Sequence, residues 1–144
     1  HNIGLVYGGA TVGLMGVLAD SMLQSGGEVV GVIPKSMVDV EIAHQCLTKL
    51  FTVKTMHERK ALISSMADGY ILLPGGAGSL EEFFEVFTWL QLGYHKKPCS
   101  ILNINGYYNS ILDFLTEDIK LFDGIIISDY LKGICSSKVL KRII

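Results

Sequence analysis

Short apolar runs alternate with longer amphipathic stretches along the whole of this 144-residue chain. That alternation constrains the fold most, because parallel strands can be joined only by long crossovers, which are usually helices. Ile3–Tyr7 reads as a strand and Gly8–Thr11 as a turn. Val12–Ser25 reads as a helix stopped by Gly26-Gly27, residues suited to a left-handed C-terminal position. Glu28–Ile33 is the next strand, closed by Pro34, and Ser36–Cys46 has the weak patterning of a loop. Leu50–Lys54 is a short strand, Met56–Ala67 a helix, and Tyr70–Leu73 a strand that runs into Pro74-Gly75-Gly76-Ala77-Gly78. Within Ser79–Leu92, the residues Leu80, Phe83, Phe84, Phe87 and Leu90 make one apolar stripe at helical spacing. Cys99–Ile104 is a strand and Tyr107–Leu121 a helix. A short strand near Ile134 and a last helix opened by Ser136 or Ser137 complete the pattern. There is no internal repeat, low-complexity tract or interior linker. The expectation is a single doubly wound, Rossmann-like α/β domain over residues 1–144, a parallel sheet with helices on both faces.

Hydrophobic residues make up 49% of the chain and charged ones 18%. This balance suits strands buried on both faces, or a surface hidden in an oligomer. The net charge is −2 with no basic run, so nucleic acid and anionic membrane surfaces are not expected partners. No apolar stretch approaches the roughly 18 residues of a membrane span. Cys46, Cys99 and Cys135 are odd in number and far apart, which indicates neither a disulfide framework nor a metal site and fits a reducing cytoplasm.

Two glycine-rich turns stand at strand-to-helix junctions. The first is Tyr7-Gly8-Gly9-Ala10-Thr11-Val12-Gly13 and the second Pro74-Gly75-Gly76-Ala77-Gly78-Ser79-Leu80-Glu81-Glu82. A helix start presents free N–H groups and a positive dipole end, and glycine lets an anion approach closely. Neither turn is a dinucleotide fingerprint or a P-loop. Tight turns alone would explain one such segment; two in a small domain favour phosphate binding.

Ser79-Leu80-Glu81-Glu82 also has the form of a capping box, with Ser79 as N-cap and Glu82 reaching back. Spacing leaves capping and catalysis equally open for Glu82, although a phosphate-only site has no use for several carboxylates. Thr55-Met56-His57-Glu58 is a second possible box, which sets Arg59 and Lys60 near a helix start. Cations there oppose the dipole by roughly 0.3–1 kcal/mol each, a cost that solvated surface charges tolerate and that an anionic ligand would offset.

Met56-His57-Glu58-Arg59-Lys60, followed by the second glycine turn, resembles the LOG family ("lonely guy" phosphoribohydrolases), whose paired signature is an M-x-x-R-K helix start and a PGGxGTxxE turn. Gly31-Val32-Ile33-Pro34, Glu41-Ile42-Ala43-His44, Thr88-Trp89-Leu90-Gln91-Leu92-Gly93 and Asn105-Gly106-Tyr107-Tyr108 look like further blocks of that family. Ser79 stands where the family usually has Thr. Members also carry a strand and helix before the Leu5-Val6-Tyr7 run, a unit this sequence lacks.

The resemblance implies hydrolysis of a purine riboside 5′-monophosphate, with adenine or N6-modified adenine as base, to free base and ribose 5-phosphate. Arg59 and Glu82 match the family's catalytic positions. Glu41, Lys60, Gly75, Gly76, Ala77, Gly78, Ser79, Leu80, Glu81 and Thr88 match ligand-contacting ones, and Gly8 and Gly9 are added from the first turn. No cofactor or metal is implied. A homodimer is expected through the helices around Arg59 and Phe83–Trp89. The chemistry agrees, since a carboxylate stabilises the oxocarbenium character of a breaking ribosyl bond and positions water. A non-catalytic nucleotide sensor or cofactor carrier on the same fold is the main rival, but it has no need of the Arg59 and Glu82 pair. Amino-acid decarboxylation, a label attached to this family, needs a Schiff-base lysine in a setting that Lys60 does not offer. His57 reads as a surface residue, His44 and His95 as structural, and Tyr107 and Tyr108 as packing residues.

Overall fold

The computed structural model describes residues 3–38 and 43–118. The chain divides into two compact units, His1–Ala67 and Asp68–Ile144.

In the first unit three parallel strands, β1 (Leu5–Tyr7), β2 (Val29–Pro34) and β3 (Lys49–Val53), form a sheet in the order β1-β2-β3. The register sets Tyr7 beside Gly31 and Pro34 beside Val53. β2 is the central strand, and its β-branched Val29, Val32 and Ile33 are fully buried, as a strand covered on both faces requires. Helix α1 (Leu14–Gln24) joins β1 to β2. Ala19 packs with Tyr7 and Val29, and Leu5, Met22, Leu23 and Leu47 close around them. α1 stops where the sequence predicts. Gly26 takes φ 76°, its N–H donates to the Leu23 carbonyl and the Gly27 N–H to that of Met22, both at 2.9 Å. This pairing is a Schellman stop. Helix α2 (Met56–Met66) follows β3. The expected capping box opens it: Thr55 Oγ1 accepts the Glu58 N–H at 3.1 Å, while the Glu58 carboxylate accepts the Lys54 N–H at 2.7 Å, one residue before the cap.

In the second unit β4 (Tyr70–Leu72) and β5 (Cys99–Ile101) pair in parallel. Helix α3 (Ala77–Gln91) lies between them in sequence, and α4 (Asn109–Asp118) follows. The apolar stripe of α3 builds this unit's core. Phe83 and Phe87 are buried and stacked at 5.7 Å, packed with Leu72, Cys99, Ile101, Tyr108 and Leu115, and Leu80, Phe84 and Leu90 flank them.

Several boundaries differ from expectation. β1 starts at Leu5 rather than at Ile3, which is 67% exposed. β5 ends at Ile101 rather than Ile104, since a short 3-10 turn (Ile104–Gly106) intervenes, with Asn105 at φ 52° and Gly106 at φ 74°. Lys35–Met37 forms a 3-10 turn inside the expected loop. α3 begins two residues before Ser79, which matters below. The strand expected near Ile134, the helix after it and residues 119–121 lie outside the described residues. The architecture is α/β, with parallel strands alternating with helices in the Rossmann-like manner. No described helix is long and apolar enough to cross a membrane.

Candidate active site

Arg59 is not the solvated surface cation that its sequence position allows. It is 5% exposed. A guanidinium is costly to bury unless its donors find acceptors, and here the side chain leans back past the start of α2, the direction in which helical Cα–Cβ bonds point. Its Nη2 donates to the Gly8 carbonyl at 3.0 Å, and its Nη1 lies 3.8 Å from the sulfurs of Met37 and Met56. This seat explains the first glycine turn. A Cβ on Gly8 would overlap Nη2 and stand 3.1 Å from Cζ. Gly9 takes φ 80°, and a Cβ there would press on Leu50 and the Val32 backbone. Its carbonyl accepts the His44 N–H at 2.9 Å. Gly8 and Gly9, expected as phosphate contacts, also have roles inside the fold, one under an arginine and one in a left-handed bend.

The second turn is different. α3 starts at Ala77 with Gly76 as N-cap and no side-chain cap. Ser79 is therefore the third helical residue rather than the cap, and Glu82 is the sixth. The expected capping box is overturned, because Glu82 is a turn too far along to reach the cap. For the same reason the first turn of α3 carries no acid, so the dipole does not account for Glu81, Glu82 or Glu85 either. The first intrahelical bond near this end runs from the Leu80 N–H to the Gly76 carbonyl at 3.2 Å, and Leu80 turns its side chain to the core. The N–H groups of Ala77, Gly78 and Ser79 come before it and face out of the helix end. Gly76 and Gly78 have ordinary negative φ, and a Cβ on either would meet nothing within 4 Å. A glycine inside a helix costs roughly 0.5–1 kcal/mol relative to Ala, and among the described residues no neighbour requires one at Gly78. Gly75 differs, since a Cβ there would overlap the Ser79 hydroxyl.

Glu82 is exposed. It lies four residues beyond Gly78, about 6 Å along the axis. Gly76, Ala77, Gly78, Ser79 and Glu82 thus all fall within the cap and the first two turns of α3. Thr88 is exposed too but lies six residues on, roughly 120° around α3 from Glu82 and on the face of Glu81 and Glu85. Lys60 is half-buried beside Arg59 on α2. Glu41 lies outside the described residues.

Two tyrosines do more than the packing expected of them. The Tyr108 ring belongs to the core, as expected, but its hydroxyl donates to the Leu73 carbonyl at 2.7 Å and accepts the Gly75 N–H at 2.9 Å. The Tyr107 hydroxyl donates to the Gly75 carbonyl at 3.1 Å. Burial raises the Tyr108 phenol above its ordinary pKa, which keeps it protonated as a donor. The Asn105-Gly106 pair that precedes them is the sequence signal of the tight bend that delivers both rings. His44 and His95 are structural, as expected. His44 Nε2 pairs with Asp20 at 3.0 Å while its Nδ1 accepts the Cys46 N–H, and His95 Nε2 bonds the Val86 carbonyl at 2.8 Å. Among the described residues no three His, Cys, Asp or Glu side chains converge as metal ligands would.

A family model described as possible lysine decarboxylase matches residues 15–136. A cytokinin riboside 5′-monophosphate phosphoribohydrolase of Rhodococcoides fascians is 57% identical over 112 residues, which is 77% of this chain and 57% of the relative. Proteins of the same printed function from rice (LOG) and from Arabidopsis thaliana (LOG4) are 42% and 41% identical over all 144 residues, or 59% and 66% of the relatives. The chain therefore spans roughly three-fifths of the length of these relatives. A match across most of the chain, with relatives 41–57% identical to it, settles the kinship: this chain belongs to the family described as possible lysine decarboxylase and, with these relatives, to the LOG family.

Proposed function

We propose that this protein hydrolyses the N-glycosidic bond of a purine riboside 5′-monophosphate, with adenine or N6-substituted adenine as base, releasing the free base and ribose 5-phosphate. The observation that carries this reading is the open, glycine-built start of α3 with Glu82 one turn along, in a chain 41–57% identical to cytokinin riboside 5′-monophosphate phosphoribohydrolases. The N–H groups of Ala77, Gly78 and Ser79 hold the 5′-phosphate, helped by the helix dipole. Binding at the phosphate positions the sugar for reaction. As the C1′–N bond breaks, its electron pair leaves with the purine, which takes up a proton. The Glu82 carboxylate faces the developing positive charge at C1′ and accepts a proton from the water that adds there. Arg59, held at the Gly8 carbonyl, is the second catalytic residue by the resemblance to LOG proteins, with a planar cation suited to carboxylate or ribose oxygens. Lys60, Glu41 and Thr88 serve binding. The first glycine turn contributes through Arg59. No metal or cofactor takes part.

The chain functions as one nucleotide-binding domain in a reducing cytoplasm, which suits the free thiols of Cys46 and Cys99, and as a homodimer, which light scattering at micromolar concentration checks. The decisive test offers a panel of nucleosides and their 5′-monophosphates and measures released base. Monophosphates are cleaved far faster, and Glu82→Gln loses most turnover with an unchanged circular dichroism spectrum. Equal rates with and without phosphate, or near-normal turnover by the Gln variant, would overturn the reading.

A further inference from the structure

Three consecutive residues before α3, Leu73, Pro74 and Gly75, are held from outside by Tyr107 and Tyr108, the two residues that precede α4. The Tyr108 hydroxyl bridges the Leu73 carbonyl and the Gly75 N–H, which fixes the backbone on both sides of Pro74. Tyr107 donates to the Gly75 carbonyl. Both faces of Gly75 are thereby clamped by phenols 32 and 33 residues away.

The support behind this clamp is rigid. Asn103, only 2% exposed, accepts the Tyr108 N–H on Oδ1 at 2.8 Å and donates from Nδ2 to Asn109 Oδ1 at 2.9 Å. The left-handed Asn105 and Gly106 reverse the chain between these partners. The two rings meet edge to face at 4.8 Å. The Tyr108 ring is locked in the core beside Leu72 and Phe83, so its hydroxyl has one place to be.

We infer that Tyr107 and Tyr108 are positioning residues for the phosphate site, acting through the Gly75 peptide. The inference rests on the function proposed above. The Gly75–Gly76 peptide is planar and trans, so its carbonyl and its N–H point in opposite directions. With Tyr107 on the carbonyl, the Gly76 N–H is turned to the other side, and a hydrogen-bonded carbonyl makes that N–H a better donor. Gly76 is the N-cap of α3. Its orientation sets the direction in which the following N–H groups of Ala77, Gly78 and Ser79 are presented. The tyrosines touch neither the reacting atoms nor the phosphate; they set the aim of the groups that do.

The test compares Tyr107→Phe, Tyr108→Phe and the double variant with the parent enzyme in three measurements. These are KM and kcat on a purine riboside 5′-monophosphate, inhibition by inorganic phosphate, and the melting temperature. Loss of one hydrogen bond from the clamp raises KM about ten-fold and weakens phosphate inhibition by a similar factor, while kcat at saturation changes less than about three-fold. A purely structural role would lower the melting temperature and leave KM and phosphate inhibition alone. Tyr107 is 59% exposed, so its Phe variant decides the matter if Tyr108→Phe does not fold. Folded variants with parental KM and phosphate inhibition overturn the inference while leaving the hydrolase reading intact. A parent enzyme indifferent to the substrate's phosphate fails that reading, and the inference falls with it.

Discussion

Gly8→Ala separates the two roles open to Arg59. The added methyl group would overlap Nη2 and stand 3.1 Å from Cζ, so the end of the guanidinium must retreat by roughly 1.5–2 Å to regain an ordinary separation of about 3.5–4.0 Å. The group that yields is the far end of a flexible side chain, and the backbone at Gly8, unlike that at Gly9, has no positive φ for a methyl group to strain. Stability therefore falls only by the weakened bond to the Gly8 carbonyl, about 1.5–3 kcal/mol for a charged donor, or several degrees of melting temperature. Catalysis is far more sensitive. A reacting or orienting group displaced by about 1 Å costs on the order of a hundred-fold. Gly8→Ala should therefore leave a folded protein whose kcat on a nucleoside 5′-monophosphate is down about a hundred-fold, by steady-state kinetics beside a thermal melt. A variant with parental kcat and a lowered melting temperature would mean that Arg59 only braces β1, and its place in the mechanism would be withdrawn.

Gly78→Ala should act in the opposite sense on stability. Nothing stands within 4 Å of the new methyl group, so the helix gains about 0.5–1 kcal/mol and melts higher, while KM for the monophosphate rises; a higher melting temperature with unchanged KM would remove the phosphate from this helix end. Alkaline pH gives another check. Burial pushes the Cys99 thiol up to about 11 and, with the Asp20 carboxylate as the lesser cause, the Tyr7 phenol up to about 12. Both groups are neutral when protonated, and the folded state keeps their protons longer than the unfolded chain. Their contribution is complete below about pH 9, declines as the pH rises to about 11 for Cys99, and declines further between about 10 and 12 for Tyr7. Urea midpoints measured across this range should fall, and less steeply in Cys99→Ala; a rise would contradict both assignments.

The alternation of apolar runs and amphipathic stretches made the α/β class legible, because a buried parallel strand such as Val29–Pro34 has to be apolar throughout. Gly26 was legible as a helix stop because only φ near 76° closes the chain there. The start of α3 was not. Ser79 and Glu82 satisfy the spacing of a capping box, yet Gly76, with no side chain, takes the cap position three residues sooner. Spacing cannot distinguish a serine cap from a serine in the third helical position. The burial of Arg59 was equally hidden, since it depends on a carbonyl 51 residues away in sequence. The tyrosine clamp combined one readable half, the rings in the core, with an unreadable half, the hydroxyls on a turn more than thirty residues back.

The glycine that opens α3 leaves the end of that helix to be completed from solution. An anion seated on the N–H groups of Ala77, Gly78 and Ser79 does for this helix what a serine or aspartate does for others. Occupancy and helix stability then become one linked equilibrium. At a hundred-fold excess of ligand over its Kd, that linkage adds about 2.7 kcal/mol to folding. On the function proposed above, nucleotide supply would then bear on how long the protein lasts as well as on how fast it works.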